Sequence, residues 1–244
     1  MKYEDWQIIT VDKVASTNDT VRDYCCEKGQ AIALRAIEQT SGRGRRGRVW
    51  HSLKGNLFLS LAFEYKPENI GKLVIVSALS LWQTIKNCAP TTNVKIKWPN
   101  DILVNNAKVS GMLLEKGEDD YIIIGIGVNI KQAPENKDIL YPATSLANEG
   151  IVTSSEDFTP AFLQIFSHYF NILQRGEFAM LRKMWTANAK GIGKKIFVNQ
   201  ENIKKEGIFL GIDDDGCLLL NTANGKKKIL VGDVFYIEKE NDVF

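Results

Sequence analysis

Residues 31–65 read AIALRAIEQTSGRGRRGRVWHSLKGNLFLSLAFEY, and the ten residues at the end of this stretch decide the fold. Gly42 to Gly47 satisfies G-x-G-x-x-G, the dinucleotide-binding pattern, which needs a strand before it, a helix opening on it and an acid about 20 residues on. The strand is there, in AIALRAIEQ. The helix is not, because Asn56–Tyr65 sets Leu57, Leu59, Leu61 and Phe63 against Phe58, Ser60 and Ala62, the period-two pattern of a second strand. Strand, loop and strand argue against the Rossmann arrangement. What remains is a loop holding Arg43, Arg45, Arg46 and Arg48 among three glycines.

Working outward, STNDTVRDYCCEKG (16–29) predicts a helix with Ser16 or Asn18 as cap and Gly29 as stop. PENIGKLVIVSALSLWQTIKNCA (67–89) predicts a second helix, apolar enough to cover a sheet. Residues 93–130 are strand patterns broken at Pro99-Asn100-Asp101, Asn105-Asn106 and Glu118-Asp119-Asp120, an antiparallel meander. Helices over 157–175 and 177–190 come next, and after residues 191–195 only short strands remain. KKIFVNQ, KKEGIFLGID, GCLLLNT, KKKILVGD and VFYIEKE, with turns at Asp215-Gly216 and Asn224-Gly225, predict a small β-barrel. The expected class is α+β: residues 1–190 form a mixed, mainly antiparallel sheet with helices, and residues 191–244 a β appendage.

The chain has 244 residues, 44% of them hydrophobic, which suits one large domain with a small companion. Its 31 basic and 29 acidic residues argue against a protein that coats nucleic acid, so the arginine cluster is a local feature. Acids stand where a signal peptide would be basic, and no apolar run approaches 18 residues, so a cytoplasmic, membrane-free location is expected. Cys25, Cys26, Cys88 and Cys217 match neither a disulfide framework nor zinc spacing. Of two histidines, His168 falls inside a helical pattern, which leaves no basis for a histidine triad or metal centre.

Three segments have the chemistry of a site. In Tyr121–Ile130, Ile122, Ile124, Ile126, Val128 and Ile130 share one face, while Ile123, Gly125, Gly127 and Asn129 share a nearly bare one. Glycines on a strand mark close approach, by another element or by a ligand. Asp101 and Lys108 fall on neighbouring strands beside Trp98 and Gly111. A lysine among backbone donors can hold phosphate or carboxylate oxygens, although a solvated strand lysine is the plainer reading. The arginine loop reads as a basic turn, a nucleic-acid patch or a ligand-closing loop. Mutual repulsion and glycine entropy make it mobile until an anion arrives, and Trp50 offers a ring for a base to stack on.

Five segments, in order, resemble one family, the biotin protein ligases: STN (16–18), EQTSGRGRRGRVW (38–50), KWPNDI (97–102), KVSGMLLE (108–115) and GIGVNI (125–130). Thr40-Ser41 departs from the pair found in many members, at a place where no role is assigned. The resemblance implies the biotin/lipoate ligase catalytic fold, like that of class II synthetases, with an SH3-like C-terminal domain. It implies that biotin attacks the α-phosphate of ATP, with Mg²⁺, to give biotinyl-5′-AMP, and that a lysine of a carboxylase's biotin carboxyl carrier domain takes up the biotinyl group. Ser16, Thr17, Asn18 and Gln39 would then hold the ureido ring, and Gly111 and Gly125 would admit the bicycle. Arg43, Gly44 and Arg45 would wrap the carboxylate and phosphate, with Arg46 also on the nucleotide. Lys108 would neutralise the α-phosphate, Trp50 and Asn129 would address adenine, and Asp101 would serve transfer or the metal. Because STN begins at residue 16, no winged helix precedes it, and the ligase-only class is expected, without DNA binding, as a monomer or weak homodimer. A lipoate ligase of the same fold and a noncatalytic anion- or nucleic-acid-binding module are the alternatives.

Overall fold

A computed structural model describes residues 1–24, 30–65, 70–117, 120–135, 141–200 and 203–236. The expected helix stop at Gly29, the Cys25-Cys26 pair, the first residues of the second helix, Glu118-Asp119 and the end of the last strand lie outside these residues.

The larger sheet has seven strands: β1 (Trp6–Val14), β2 (Ala31–Gln39), β3 (Leu57–Glu64), β4 (Val94–Lys97), β5 (Asp101–Val104), β6 (Ala107–Lys116) and β7 (Tyr121–Val128). Their order across the sheet is β1-β2-β3-β7-β6-β5-β4. The β4–β7 stretch is the expected meander, with Asn105 and Asn106 both at positive φ in the β5–β6 turn. Among the described residues, the one parallel ladder of this sheet joins β1 to β2 through helix α1 (Thr17–Tyr24). Sequence patterning does not reveal β1. It is an edge strand, and from Gln7 to Val14 none of its residues is fully buried, so no clean alternation marks it.

One face of the sheet carries Leu57, Leu59, Leu61, Phe63, Ile122, Ile124, Ile126 and Val128 against helices α2 (Ile70–Cys88) and α3 (Ser155–Gln174), with α4 (Phe178–Asn188) alongside. Phe63 meets Trp6, Phe166 and Phe170 at centroid distances of 5.3–5.8 Å, mostly edge to face. Ser154 caps α3 by accepting from Asp157 N at 3.1 Å. His168 lies exposed on this helix. The opposite face is covered by α1 at one end, where Val21 packs with Ile32, Leu34, Ala62 and Ile123, and is open beyond it.

The C-terminal strands β8 (Lys195–Gln200), β9 (Ile203–Ile212), β10 (Leu218–Thr222), β11 (Gly225–Ile229) and β12 (Asp233–Tyr236) form an antiparallel sheet in the order β11-β10-β9-β8-β12. The fourth strand stops at Ile229 rather than running to residue 233, and bends at Leu230 and Val231 lead the chain into β12. This sheet is fastened to the larger one by its β9–β10 turn. Trp98 Nε1 donates to Gly216 O at 3.2 Å, and Gly71 has no side chain because a Cβ there would meet Asp215 O at 2.2 Å. Consequently β12 lies beside the open face.

Candidate active site

Strand register builds the floor of the site. Directly opposed residues share a face, and Lys97 opposes Asp101, Asp101 opposes Gly111, Gly111 opposes Gly127, and Gly127 opposes Phe58. Lys97, Asp101 and two bare glycines thus stand in one row across four strands. Simple alternation would put Lys108 and Gly111, three residues apart, on opposite faces. A bulge sets Ile102 opposite Ser110 but Leu103 opposite Lys108, and this extra residue turns Lys108 to the Asp101 side. Lys108 Nζ reaches Asp101 Oδ1 at 2.6 Å.

The glycines admit side chains. A Cβ at Gly125 would lie 2.3 Å from Asn18 Oδ1, and one at Gly127 would lie 2.3 Å from the Trp50 ring. Close approach by other elements is thus present at this bare face, and the approaching groups line a cavity. Its volume is about 600 Å³, within the usual range for small-molecule sites.

One end of the cavity is polar and nearly uncharged. Gln39 Oε1 accepts from Thr17 N at 2.9 Å, and Gln39 Nε2 donates to Ser52 Oγ at 3.0 Å. Ser60 Oγ lies 2.8 Å from Thr17 Oγ1 and 2.6 Å from Asn18 Oδ1, and Asn18 Nδ2 donates to Glu115 at 2.8 Å. Ser16, Thr17, Asn18 and Gln39 are all buried. The other end is cationic, with Arg45, Arg48, Lys97 and Lys108 on its wall and only Asp101 and Asp233 as carboxylates. Burial pushes the Lys97 ammonium down to about 8 against the pull of Asp101, and Lys97 Nζ sits 3.2 Å from the Tyr141 ring centroid. Burial alone would raise the Asp101 carboxyl, but the charges of Lys108, Lys97 and Arg45 outweigh it and hold it below its ordinary value. Three buried polar atoms on the wall have no hydrogen-bond partner: Asp101 Oδ1, which keeps its ion pair with Lys108, the Trp50 Nε1 donor and the Asn129 Oδ1 acceptor.

Every residue expected at the site lines this cavity except Arg46. Arg46 stands outside the lining and points to Asp233 Oδ2 at 2.9 Å. The repulsion expected within the loop is corrected, because carboxylates oppose the arginines. Arg43 pairs with both oxygens of Asp19, and its second guanidinium nitrogen lies 3.4 Å from Glu115. That hydrogen bond from Arg43 holds the Asp19 carboxyl below its ordinary value. Arg48 pairs with Asp233, while Arg45 bonds Asn100 Oδ1 at 3.1 Å. Lys97, Asn100, Tyr141 and Asp233 join the site without a role assigned from sequence. Lys97 and Asn100 lie within KWPNDI, where that motif could have flagged them, but no local signal marks Tyr141 or Asp233.

Residues 15–129 match the Biotin/lipoate A/B protein ligase family, and residues 191–236 match the Biotin protein ligase C terminal domain. The chain is 34% identical over 221 residues to the biotin–[acetyl-CoA-carboxylase] ligase of Paracoccus denitrificans, covering 85% of this chain and 91% of that one. Among solved structures, biotin protein ligase from Aquifex aeolicus in complex with biotin and ATP superposes with a TM-score of 0.83 at 29% identity, over 96% of this chain and 99% of that one. The Leishmania major enzyme in complex with biotinyl-5-AMP gives 0.66 at 26%, over 92% and 99%. The sequence kinship and the shared cavity-bearing fold lead to one conclusion: this chain belongs to the biotin protein ligase family.

Proposed function

We propose that the chain activates biotin with ATP and passes the biotinyl group to a lysine of a biotin carboxyl carrier domain. The observation that carries this reading is a single cavity with a neutral hydrogen-bonding end and a cationic end, matched to a ureido ring and to phosphates respectively. In the first step a biotin carboxylate oxygen bonds to the α-phosphorus and the bond to pyrophosphate breaks. In the second the acceptor amine, having lost its proton, attacks the carbonyl carbon and AMP leaves with the electron pair. Neither step needs a protein nucleophile. Positioning and charge stabilisation carry the rate.

The shared cavity lining supports the roles that the resemblance implies. Ser16, Thr17, Asn18 and Gln39 hold the ureido ring over Gly125 and Gly111. Arg43, Gly44 and Arg45 receive the carboxylate and α-phosphate, and Lys108 neutralises the charge that develops there. Trp50 Nε1 and Asn129 Oδ1, an orphan donor and an orphan acceptor, suit the edge of adenine, which offers both. No group of three or more metal-ligating side chains stands among the described residues. Mg²⁺ bound mainly by the triphosphate would offset phosphate charge, and Asp101 on the wall would be the carboxylate to hold it.

Residues 1–190 would act as the catalytic unit and residues 191–244 as a unit completing the nucleotide side. No helix among the described residues is long and apolar enough to cross a membrane. A reducing, cytoplasmic setting suits the free thiols of Cys88 and Cys217. The loop arginines are engaged at the cavity, so the reading needs no DNA, and the open edge of β1 is where a weak homodimer would form.

Incubating the chain with ATP, Mg²⁺ and either biotin or lipoate, while following pyrophosphate release and labelling of a carrier domain, tests the reading. Signal with biotin alone is expected. Signal with lipoate alone would replace it with the lipoate-ligase alternative, and silence with both would leave an anion-binding module.

A further inference from the structure

Three of the four loop arginines end on two consecutive residues at the start of β12, Gly232 just before it and Asp233 at its head. Both terminal nitrogens of Arg45 lie 3.5 Å from Gly232 O, Arg46 Nη1 lies 2.9 Å from Asp233 Oδ2, and Arg48 grips Asp233 fork to fork, with Nη1 3.4 Å from Oδ1 and Nη2 on Oδ2. We infer that Asp233 is a positioning residue for nucleotide binding, an internal carboxylate that holds the arginine loop over the cavity and yields one guanidinium, that of Arg48, to an incoming phosphate. This rests on the assignment of the loop to the phosphates of ATP.

An asymmetry in burial sets the direction of the exchange. The Asp233 side chain is 11% exposed and sits on β12, locked in register with Asn199 of β8, whereas the Arg46 and Arg48 side chains are 33% and 45% exposed. The carboxylate stays and the guanidiniums can move. Were both to leave, a buried charge would stand unpaired, which is strongly unfavourable. Two arginines on one carboxylate make one of them dispensable. Arg48 lines the cavity and Arg46 does not, so Arg48 is the one that exchanges while Arg46 keeps Asp233 neutralised. Burial works against the charged form of Asp233, yet the arginines hold its carboxyl below the ordinary value, consistent with a permanently ionised anchor.

Limited trypsin treatment of the whole chain, without biotin or ATP, tests this independently of turnover, because Arg43, Arg45, Arg46 and Arg48 are themselves cleavage sites. Asp233→Asn should speed cleavage at the loop by about tenfold or more, as for a segment whose opening no longer breaks an ion pair. Millimolar inorganic pyrophosphate should return the variant towards the wild-type rate, since a bridging anion replaces the carboxylate. Wild-type cleavage rates in the variant would overturn the inference, and so would fast cleavage that pyrophosphate fails to slow, because a merely structural contact has no reason to be rescued by an anion. Arg46→Gln, on an exposed loop, covers the case in which the first variant does not fold. It should raise KM for ATP severalfold with KM for biotin unchanged and with recovery in Arg46→Lys, and an unaltered KM for ATP would overturn the inference equally.

Discussion

Gly125 and Gly127 stand two residues apart on β7, and a Cβ at either would come within 2.3 Å of a neighbour, yet the two alanine substitutions should fail in different ways. At Gly125 the neighbour is Asn18 Oδ1. Ordinary contact begins near 3.4 Å, so that oxygen must retreat by about 1.1 Å. It has nowhere to go, because Asn18 is buried, its oxygen sits 2.6 Å from Ser60 Oγ, and its amide bonds Glu115 at 2.8 Å. Overpacking costs about 1–3 kcal/mol and a buried polar group left without its partner about 1–3 kcal/mol more, while removing a strand glycine returns about 0.5–1 kcal/mol. The net loss for Gly125→Ala is about 1–5 kcal/mol, centred near 3, which for a chain of this size lowers Tm by roughly 10 °C at the centre of that range. At Gly127 the neighbour is the Trp50 ring, whose Nε1 bonds nothing and whose backbone belongs to the arginine loop. The ring can swing out at a cost of about 1 kcal/mol of half-buried apolar surface. Gly127→Ala should therefore melt within a few degrees of wild type, keep its biotin affinity and lose ATP affinity. Calorimetric melting of the empty proteins, then titration with biotin, separates the two. Equal melting temperatures for the two variants would refute the assignment of Asn18 to a locked network and Trp50 to a movable wall.

Lys108→Ala removes the charge that the proposed mechanism sets against the α-phosphate, so adenylation measured by pyrophosphate release should fall by about 10²-fold or more, as for loss of a preorganised donor; a rate equal to wild type would make Lys108 a structural partner of Asp101 alone. Lys97 gives a pH signature. Its folded value of about 8 lies below the ordinary 10.5, so between those values the unfolded chain binds the extra proton and stability rises with pH, the penalty of the buried charge being complete below about 8. Over the same range the cavity loses a cation. The kcat/KM for ATP should accordingly fall as pH climbs through about 8, and Lys97→Arg, which stays charged, should abolish that limb; persistence of the limb in Lys97→Arg would assign it to another group.

The parts of the site that can be read from the sequence are those written along a single strand. The bare face of β7 announces itself because period two separates Gly125, Gly127 and Asn129 from five core-facing aliphatic residues, and the β5–β6 turn is marked by Asn105-Asn106. What stays hidden depends on pairing across the sheet or across the chain. The bulge that turns Lys108 towards Asp101 leaves no local mark, since the same residues without it would place the lysine on the core face. Lys97 is an unremarked strand lysine until register sets it opposite Asp101. Arg48 and Asp233 are 185 positions apart, and nothing in either segment points to the other. For the same reason the loop's charge cannot be judged locally. Four arginines in six residues repel when considered alone, and only the fold supplies Asp19, Glu115 and Asp233 to cancel them.

That cancellation bears on how a catalyst without a nucleophile reaches its rate. Electrostatic stabilisation is effective when the donors are already in place as charge develops, and a glycine-rich loop ordered only by its ligand would subtract its ordering entropy from binding. Here the floor is fixed by strand register, and the roof is drawn over it by carboxylates belonging to α1, β6 and β12. A phosphate arriving at such a roof exchanges one anion for another rather than collecting scattered arginines. The carboxylate beneath Arg46 and Arg48 comes from the C-terminal sheet, itself held to the larger one by Trp98 from the segment that carries Lys97 and Asp101. In the proposed reaction the small unit would therefore contribute geometry to the chemistry, and removing it would leave the loop with Asp19 and Glu115 as its remaining carboxylate partners among the described residues.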